Sequence, residues 1–546
     1  MTAAPWWRSA VIYQVYPRSF QDTDGDGLGD LAGVTARLPY LAELGIDAVW
    51  LSPFYPSPMA DFGYDVADYC EVDPRFGTLA DFDALLARAH ALGLRLILDF
   101  VPNHSSDQHP WFAQSRAART NPRRDWYIWR DPAPGGGPPN NWISDFGGPA
   151  WSLDPATGQY YSHAFLPAQP DLNWRDEGLR AAMHEAMRFW LDRGVDGFRL
   201  DVLWHVGKAA DFRDNPTNPA WRPGMNARDR VLQRYSTDQP LAHEVAAGMR
   251  ALADAYPDAR LLIGEIYLPL DRLMAYYGTP ARPETQLPFN FELIEAPWDA
   301  DHIRRFIAAY EAALPPHGLP SWVIGNHDRP RIATRVGPAQ ARVAAMLLLT
   351  LRGTPTLYYG DELGLEDVAV PPAQVRDPLE LRQPGIGLGR DPVRAPMPWA
   401  GDAPHAGFST GDPWLPLNAD WATRNVAAQR ADQGSMLTLY RTLLALRRRH
   451  PALGLGEIAL LPAEGDAIAY ERRHGEARLI VLLNLGSRAQ EVTLPPGSYA
   501  LLLSSYPGAG LSMPDTEGAP AYARAEEFCG TIMLAADEAL ILEPIA

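Results

Sequence analysis

The chain has 546 residues, 47% of them hydrophobic and 21% charged, a length that exceeds one compact core and predicts a large unit with at least one smaller domain. Its formal net charge of -18 repels phosphate backbones and anionic headgroups, which argues against nucleic acid or a membrane surface as partner and favours a small neutral molecule. The opening MTAAPWWRSAVIYQVY has no basic region ahead of a long apolar stretch, and nothing later reads as a membrane span, so a cytoplasmic monomer or small homo-oligomer is expected.

In chain order, the first strand-like run is Val11 to Tyr16. It is followed by DTDGDGLGD, where Asp22, Asp24, Asp26 and Asp30 stand at positions 1, 3, 5 and 9 of an EF-hand-like loop. The Leu28 carbonyl falls at position 7, and Gly33 stands where a bidentate Glu would close the shell. Hard oxygen donors at this spacing suit Ca²⁺, with Mg²⁺ as the alternative, in a structural role. No organic cofactor is expected.

Further short apolar runs follow at Ile46 to Leu51, Arg95 to Phe100, Gly197 to Val202, Leu261 to Ile266, Trp322 to Gly325 and Thr356 to Tyr359. Helix-patterned segments separate them; in Leu79 to Leu92 apolar residues recur at helical spacing and Gly93 ends the run. This alternation predicts parallel strands joined by right-handed crossovers. After His104 it is interrupted by residues 104–172, rich in Pro, Gly, Trp and Asn, which read as an inserted subdomain with little helical periodicity. Residues 367–414 form a second irregular stretch expected to cap the strand ends, and from 458 to 546 alternating runs such as ARLIVLLNLGS predict an antiparallel β domain. The remaining segments, 1–103 and 173–457, form the large unit. Cys70 and Cys529 are too few and too far apart for a disulfide framework or a four-thiolate zinc site, and both are expected to be buried and inert.

Polar residues directly after the apolar runs are the place to look for chemistry. They are Asp99 and His104 in LILDFVPNH, Arg199 and Asp201 in GFRLDV, Glu265 in LLIGEIY, and His327 and Asp328 in WVIGNHD. Together with AVIYQVYPRSF, QPDLN and GTPTLYYGDELG, these motifs give the chain a resemblance, over almost its whole length, to the α-amylase family of glycoside hydrolases, and in particular to bacterial α-glucosidases and oligo-1,6-glucosidases. The resemblance implies a (β/α)₈ TIM barrel with an inserted subdomain after strand 3 and a C-terminal antiparallel β-sandwich. It makes Asp201 the nucleophile, Glu265 the general acid/base and Asp328 the carboxylate that holds sugar hydroxyls, with Asp99 structural. Physical chemistry asks for the same division: one ionised and one protonated carboxyl flanking the scissile bond. Arg199, on the same strand face as Asp201, is expected to keep it ionised, and apolar Ile263 and Ile266 to raise Glu265.

The resemblance also assigns sugar contacts to Asp61, Tyr64, His104, Phe165, Arg199 and His327, and to an arginine of GRDPVRAPMPW, Arg390 with Arg394 as the alternative. An acid and an arginine on the outermost hydroxyls make a closed pocket that takes chain ends. His205 is left open. Val202, next to the nucleophile, hints at tolerance of α-1,6 links. The expected substrates are maltose, isomaltose, sucrose or trehalose types. The alternatives are a glucosyl transferase or sucrose isomerase on the same residues and, outside enzymes, a barrel used as a binding module, which the three carboxylates disfavour.

Overall fold

The computed structural model describes residues 5–506 and 527–545. Eight parallel strands run as β1 (Ile12–Val15), β2 (Ala48–Leu51), β3 (Arg95–Phe100), β4 (Gly197–Leu200), β5 (Leu261–Gly264), β6 (Leu287–Pro288), β7 (Ser321–Val323) and β8 (Thr354–Tyr358). The sheet order is β6-β5-β4-β3-β2-β1-β8-β7, and a parallel bridge between Asn290 and Trp322 closes the ring between its two edges. The period-2 geometry of a strand sorts the side chains. Tyr13, Val49, Leu96, Leu98 and Leu262 pack outward in one cluster with the helices, while Ile12, Trp50, Ile97, Ile263, Leu287 and Val323 fill a second cluster inside the barrel. At Gly197 the strands approach so closely that a Cβ would lie 2.3 Å from the Leu261 carbonyl oxygen, so β4 begins on the one residue that fits.

Seven of the eight strands coincide with the apolar runs. The strand absent from the sequence expectation is β6, only two residues long, too short to show a run of its own. The connecting helices follow their caps. In the helix Leu31–Leu44, Asp30 accepts from the Gly33 N–H; in Leu79–Ala91, Thr78 and Asp81 form a reciprocal capping box.

The segment between β3 and β4 carries a three-stranded antiparallel sheet of Trp129–Arg130, Gln159–Ser162 and Trp151–Asp154. It also holds an eight-residue helix, Pro110–Ala117, which its weak periodicity hid: the helix starts on Pro110, with His109 accepting from the Trp111 N–H. The stretch after β8 has only short helical turns, among them Pro378–Arg382 and Asp391–Arg394. At the C-terminal end a six-stranded antiparallel sheet faces a two-stranded one, Gln490–Thr493 with Thr531–Leu534. Ala469, Ile480, Leu482, Val492, Ile532 and Leu534 are buried between them. Residues 507–526 of the expected β domain lie outside the described residues.

The cysteine expectation is corrected. Cys70 is only half-buried, though burial pushes its thiol up to about 11, and Cys529 is exposed, because it sits at the turn into the edge strand Thr531–Leu534. Among the described residues no helix is long and apolar enough to cross a membrane.

Candidate active site

The C-terminal ends of β3, β4 and β5 bring three acids around one guanidinium. Arg199 donates to Asp99 Oδ1 at 2.8 Å and to Asp201 Oδ1 at 2.6 Å, and its other terminal nitrogen lies 2.7 Å from Glu265 Oε2. The backbone ladder holds the pieces in register: Asp201 N–H donates to the Phe100 carbonyl and Glu265 N–H to that of Leu200. The chain then turns at Val202, whose φ of 37° and ψ of 45° are costly for a β-branched residue. The strain aims the Val202 N–H at Glu265 Oε2, 2.8 Å away; such outliers persist where the surrounding structure enforces them, commonly at reacting centres.

Arg199 therefore does not serve Asp201 alone, as expected from sequence, but divides its charge among three carboxylates. Burial pushes Asp201 and Glu265 above the ordinary carboxylate range, Arg199 opposes this, and the neighbouring carboxylates push the same way as burial. Burial also raises Asp99, against Arg199 and the donors Tyr64 and Trp50. One cation among three buried acids favours retention of a proton by the group, which titrates as a unit. Such a set provides one ionised and one protonated carboxyl. Asp201 Oδ2 and Glu265 Oε1 have no hydrogen-bond partner among the described residues.

Opposite this floor a second set of charges closes the far end. Arg390 donates to Asp61 Oδ1 at 2.6 Å and to Asp377 Oδ1 at 2.7 Å, and reaches Asp328 Oδ1 at 3.5 Å. Arg394 donates to the same Asp328 oxygen at 3.0 Å and to the His327 carbonyl at 2.8 Å. Burial pushes Asp328 up, but His327, Arg390 and Arg394 outweigh it and hold the carboxyl well below its usual range. Asp328 is thus firmly ionised.

The walls carry neutral histidines. Burial drives His104 down to about 4 and His327 down to about 3. His104 sits between the amides of Asn103, at 3.0 Å, and Gln169, at 3.0 Å, with the Phe165 ring against it. His327 faces Tyr64 Oη at 2.8 Å and Gln14 Nε2 at 2.8 Å. The space enclosed has a volume of about 770 Å³, and Asp61, Tyr64, His104, Phe165, Asp201, Glu265, His327, Asp328 and Arg390 all line it. Arg199 lies beneath it, 1% exposed. Of the two arginine candidates, Arg390 reaches the cavity and Arg394 fastens Asp328 from behind.

Several neighbours were not singled out from sequence: Gln14 and Trp50 under the floor, Gln169 against Asp61 at 3.2 Å, and Asp377, which anchors Arg390. Gln14 and Gln169 stand inside AVIYQVYPRSF and QPDLN, and Trp50 inside an apolar run, but nothing in those stretches marked these side chains off from their neighbours. His205, left open above, is 2% exposed, packs on Phe165 and Trp204, and has no hydrogen-bond partner on either ring nitrogen; burial holds it neutral.

With this geometry in place, comparison with known proteins is decisive. The catalytic-domain description of α-amylase matches residues 14–456, and a domain of unknown function, DUF3459, matches residues 454–540. The chain belongs to the α-amylase family. A probable α-glucosidase of Rhizobium meliloti (strain 1021) is 43% identical over 90% of this chain and 91% of its own. An oligo-1,6-glucosidase of Parageobacillus thermoglucosidasius is 36% identical over 92% and 95%. Among solved structures, the α-glucosyl transfer enzyme XgtA superimposes with a TM-score of 0.91 at 41% identity, covering 100% of both chains. The trehalulose synthase MutB from Pseudomonas mesoacidophila MX-45 does so with 0.87 at 36%, covering 99% of this chain and 100% of its own.

In this α-amylase family barrel the acidic loop after β1 is not part of the cavity lining. Carboxylate oxygens of Asp22, Asp24 and Asp30 come within 4.8 Å of one another. Asp26 is outside that group, with its Oδ1 accepting the Leu28 N–H at 2.7 Å. Burial pushes Asp22 up, yet donation from Ser409 and the N–H groups of Gly25, Gly27 and Asp24 leaves its carboxyl below the usual range, so Asp22 offers an ionised oxygen donor in the loop.

Proposed function

We propose that the protein is a retaining, exo-acting α-glucosidase that hydrolyses terminal α-glucosidic bonds of short gluco-oligosaccharides or disaccharides. The observation that carries the exo reading is the buried Arg390–Asp61 contact, 2.6 Å, an ion pair in the cavity lining that supports a closed end shaped for a terminal ring. Asp201 attacks the anomeric carbon while Glu265 gives its proton to the departing oxygen, breaking the glycosidic bond and leaving glucosyl on Asp201. Glu265, now a carboxylate, takes a proton from water, whose oxygen displaces Asp201 with a second inversion. Asp328 and Arg390 bind hydroxyls, the neutral His104 and His327 supply hydrogen bonds, and Phe165 and Tyr64 shape the wall.

Val202 beside the nucleophile supports tolerance of α-1,6 links. A transfer reading is supported by one feature: the cavity lining includes an apolar group, Tyr267 and Phe291, stacked at 3.9 Å, with Leu268 and Leu270, set among charged Glu292, Glu295 and Arg329, and apolar side chains disfavour water as acceptor. The similar solved structures XgtA, an α-glucosyl transfer enzyme, and MutB, a trehalulose synthase, support the same direction. We assign Ca²⁺, or Mg²⁺ in its place, to Asp22, Asp24 and Asp30 with Asp26 and the Leu28 carbonyl completing the set, where it cross-links the loop. A free exposed thiol at Cys529 suits a reducing compartment and supports a cytoplasmic, monomeric or small homo-oligomeric enzyme. Incubation with maltose, isomaltose, sucrose and trehalose separately is the test. Free glucose as main product supports hydrolysis, new disaccharides or trisaccharides support transfer, and no product from any of them removes the reading.

A further inference from the structure

The direction of every hydrogen bond between Asp99 and strand β1 follows from which atoms are able to donate. Asp99 Oδ1 receives Arg199 at 2.8 Å, and Oδ2 receives the Trp50 indole N–H at 3.2 Å and the Tyr64 hydroxyl at 3.0 Å. Arg and Trp only donate, so the Asp99 carboxylate is the acceptor at the end of the chain. Burial holds the Tyr64 phenol well above its ordinary value, which keeps its proton in place. That proton is committed to Asp99, so at 2.8 Å from His327 Nε2 the Tyr64 oxygen accepts. Nε2 therefore carries the hydrogen. A neutral imidazole with Nε2–H has a bare Nδ1, and the group facing it at 2.8 Å is the Gln14 amide nitrogen. The second amide hydrogen of Gln14 goes to Ser52 Oγ at 3.1 Å, while its Oε1 is buried without a partner. The opposite amide orientation would bury an unpaired NH₂ and break the sequence of donors.

We infer that Gln14, fully buried on β1 and absent from the cavity lining, is the positioning residue that sets the tautomer of His327, so that Nε2–H donates to the Tyr64 oxygen and holds both rings in the pocket wall. This rests on the glucoside reading of the pocket and adds to it how its histidine donor is fixed. The groups around the ring, Asp328 on its own loop, Arg390 and Arg394 from the cap and Arg199 from β4, supply charge but no contact to Nδ1. Among the described residues, Gln14 alone hydrogen-bonds Nδ1.

The test is ¹⁵N-histidine NMR of the full chain at pH 7, with the His327 signals identified by their loss in His327→Gln. The expected spectrum has the proton on Nε2 and a bare Nδ1. In Gln14→Glu a carboxylate faces Nδ1 and draws the proton there, with kcat/KM expected to fall at least tenfold while unfolding stays a single transition. A proton on Nδ1 in the unsubstituted enzyme overturns the inference, and so does a Gln14→Glu enzyme of unchanged kcat/KM. Absence of glucosidase activity in the unsubstituted protein would instead sink the pocket's reading, with the nitrogen spectrum still deciding the tautomer.

Discussion

Two carboxyls divide the chemistry, and substitution separates them. Glu265→Gln is expected to lower kcat on maltose by roughly 10²- to 10⁴-fold, the usual worth of a general acid. The loss should shrink in the glucosylation step on 4-nitrophenyl α-glucoside, whose leaving group needs no proton. Asp201→Asn should be equally inactive on both, since no nucleophile remains. Steady-state and burst kinetics on the two substrates check this, and equal losses for Glu265→Gln in both would remove it as acid. At the far end, Asp61→Ala takes away a hydroxyl contact and one partner of the buried Arg390. Hydrogen bonds to charged groups contribute about 1.5–3 kcal/mol, so kcat/KM should drop by about 10- to 200-fold. The Arg390–Asp377 contact at 2.7 Å should preserve folding, readable as a retained cooperative melt.

At the scale of elements, the loop from Asp22 to Asp30 runs directly into the N-cap of the helix Leu31–Leu44, so an ion there stabilises a loop and a helix start together. A chelator is expected to lower the melting temperature and added Ca²⁺ to restore it, because a ligand that binds only the folded state stabilises by mass action. Asp24→Ala, on an exposed side chain, should melt near the chelated temperature and respond to neither; a variant that still responds to Ca²⁺ would dismiss the assignment. The elements themselves were largely readable. Short apolar runs separated by helix-spaced segments marked seven barrel strands, but β6 has two residues and no pattern to read. Asp201, Glu265 and Asp328 were legible because each lies at or just after the end of an apolar run. Gln14, Asp377 and Gln169 were not, because their value comes from what folding sets opposite them: His327, Arg390 and Asp61 are 313, 13 and 108 residues away. Arg199 was legible as a partner of Asp201, whereas its second arm to Glu265 required the parallel pairing of β4 and β5 to be seen.

For the whole molecule, buried charge makes stability depend on pH away from the active site. Asp361, after β8, is 1% exposed and is raised to about 7 by burial, against Arg331 and the Tyr358 N–H. Its folded value lies above its unfolded one, so the native state binds this proton more tightly. The folded state is then least disturbed at low pH and loses stability between about 4 and 7 as the group must ionise in place, by on the order of a few kcal/mol. Asp361→Asn removes that titration. Relative to the parent, it should melt higher at pH 8 and gain little at pH 5, and a gain that grows toward low pH would reverse the assignment. At the same scale the cavity joins two kinds of lining, the ionic set of Asp61, Asp328 and Arg390 and the stacked Tyr267 and Phe291 together with charged Glu292, Glu295 and Arg329.

The central claim is a double displacement on a terminal α-glucoside, and the anomer of the first product reports it. Maltose and isomaltose are mixed with the enzyme in the NMR tube, and the anomeric protons of released glucose are followed faster than mutarotation. The account predicts α-glucose first, relaxing later to the equilibrium mixture. β-Glucose appearing first would mean a single displacement and would contradict the assignment of Asp201 as nucleophile.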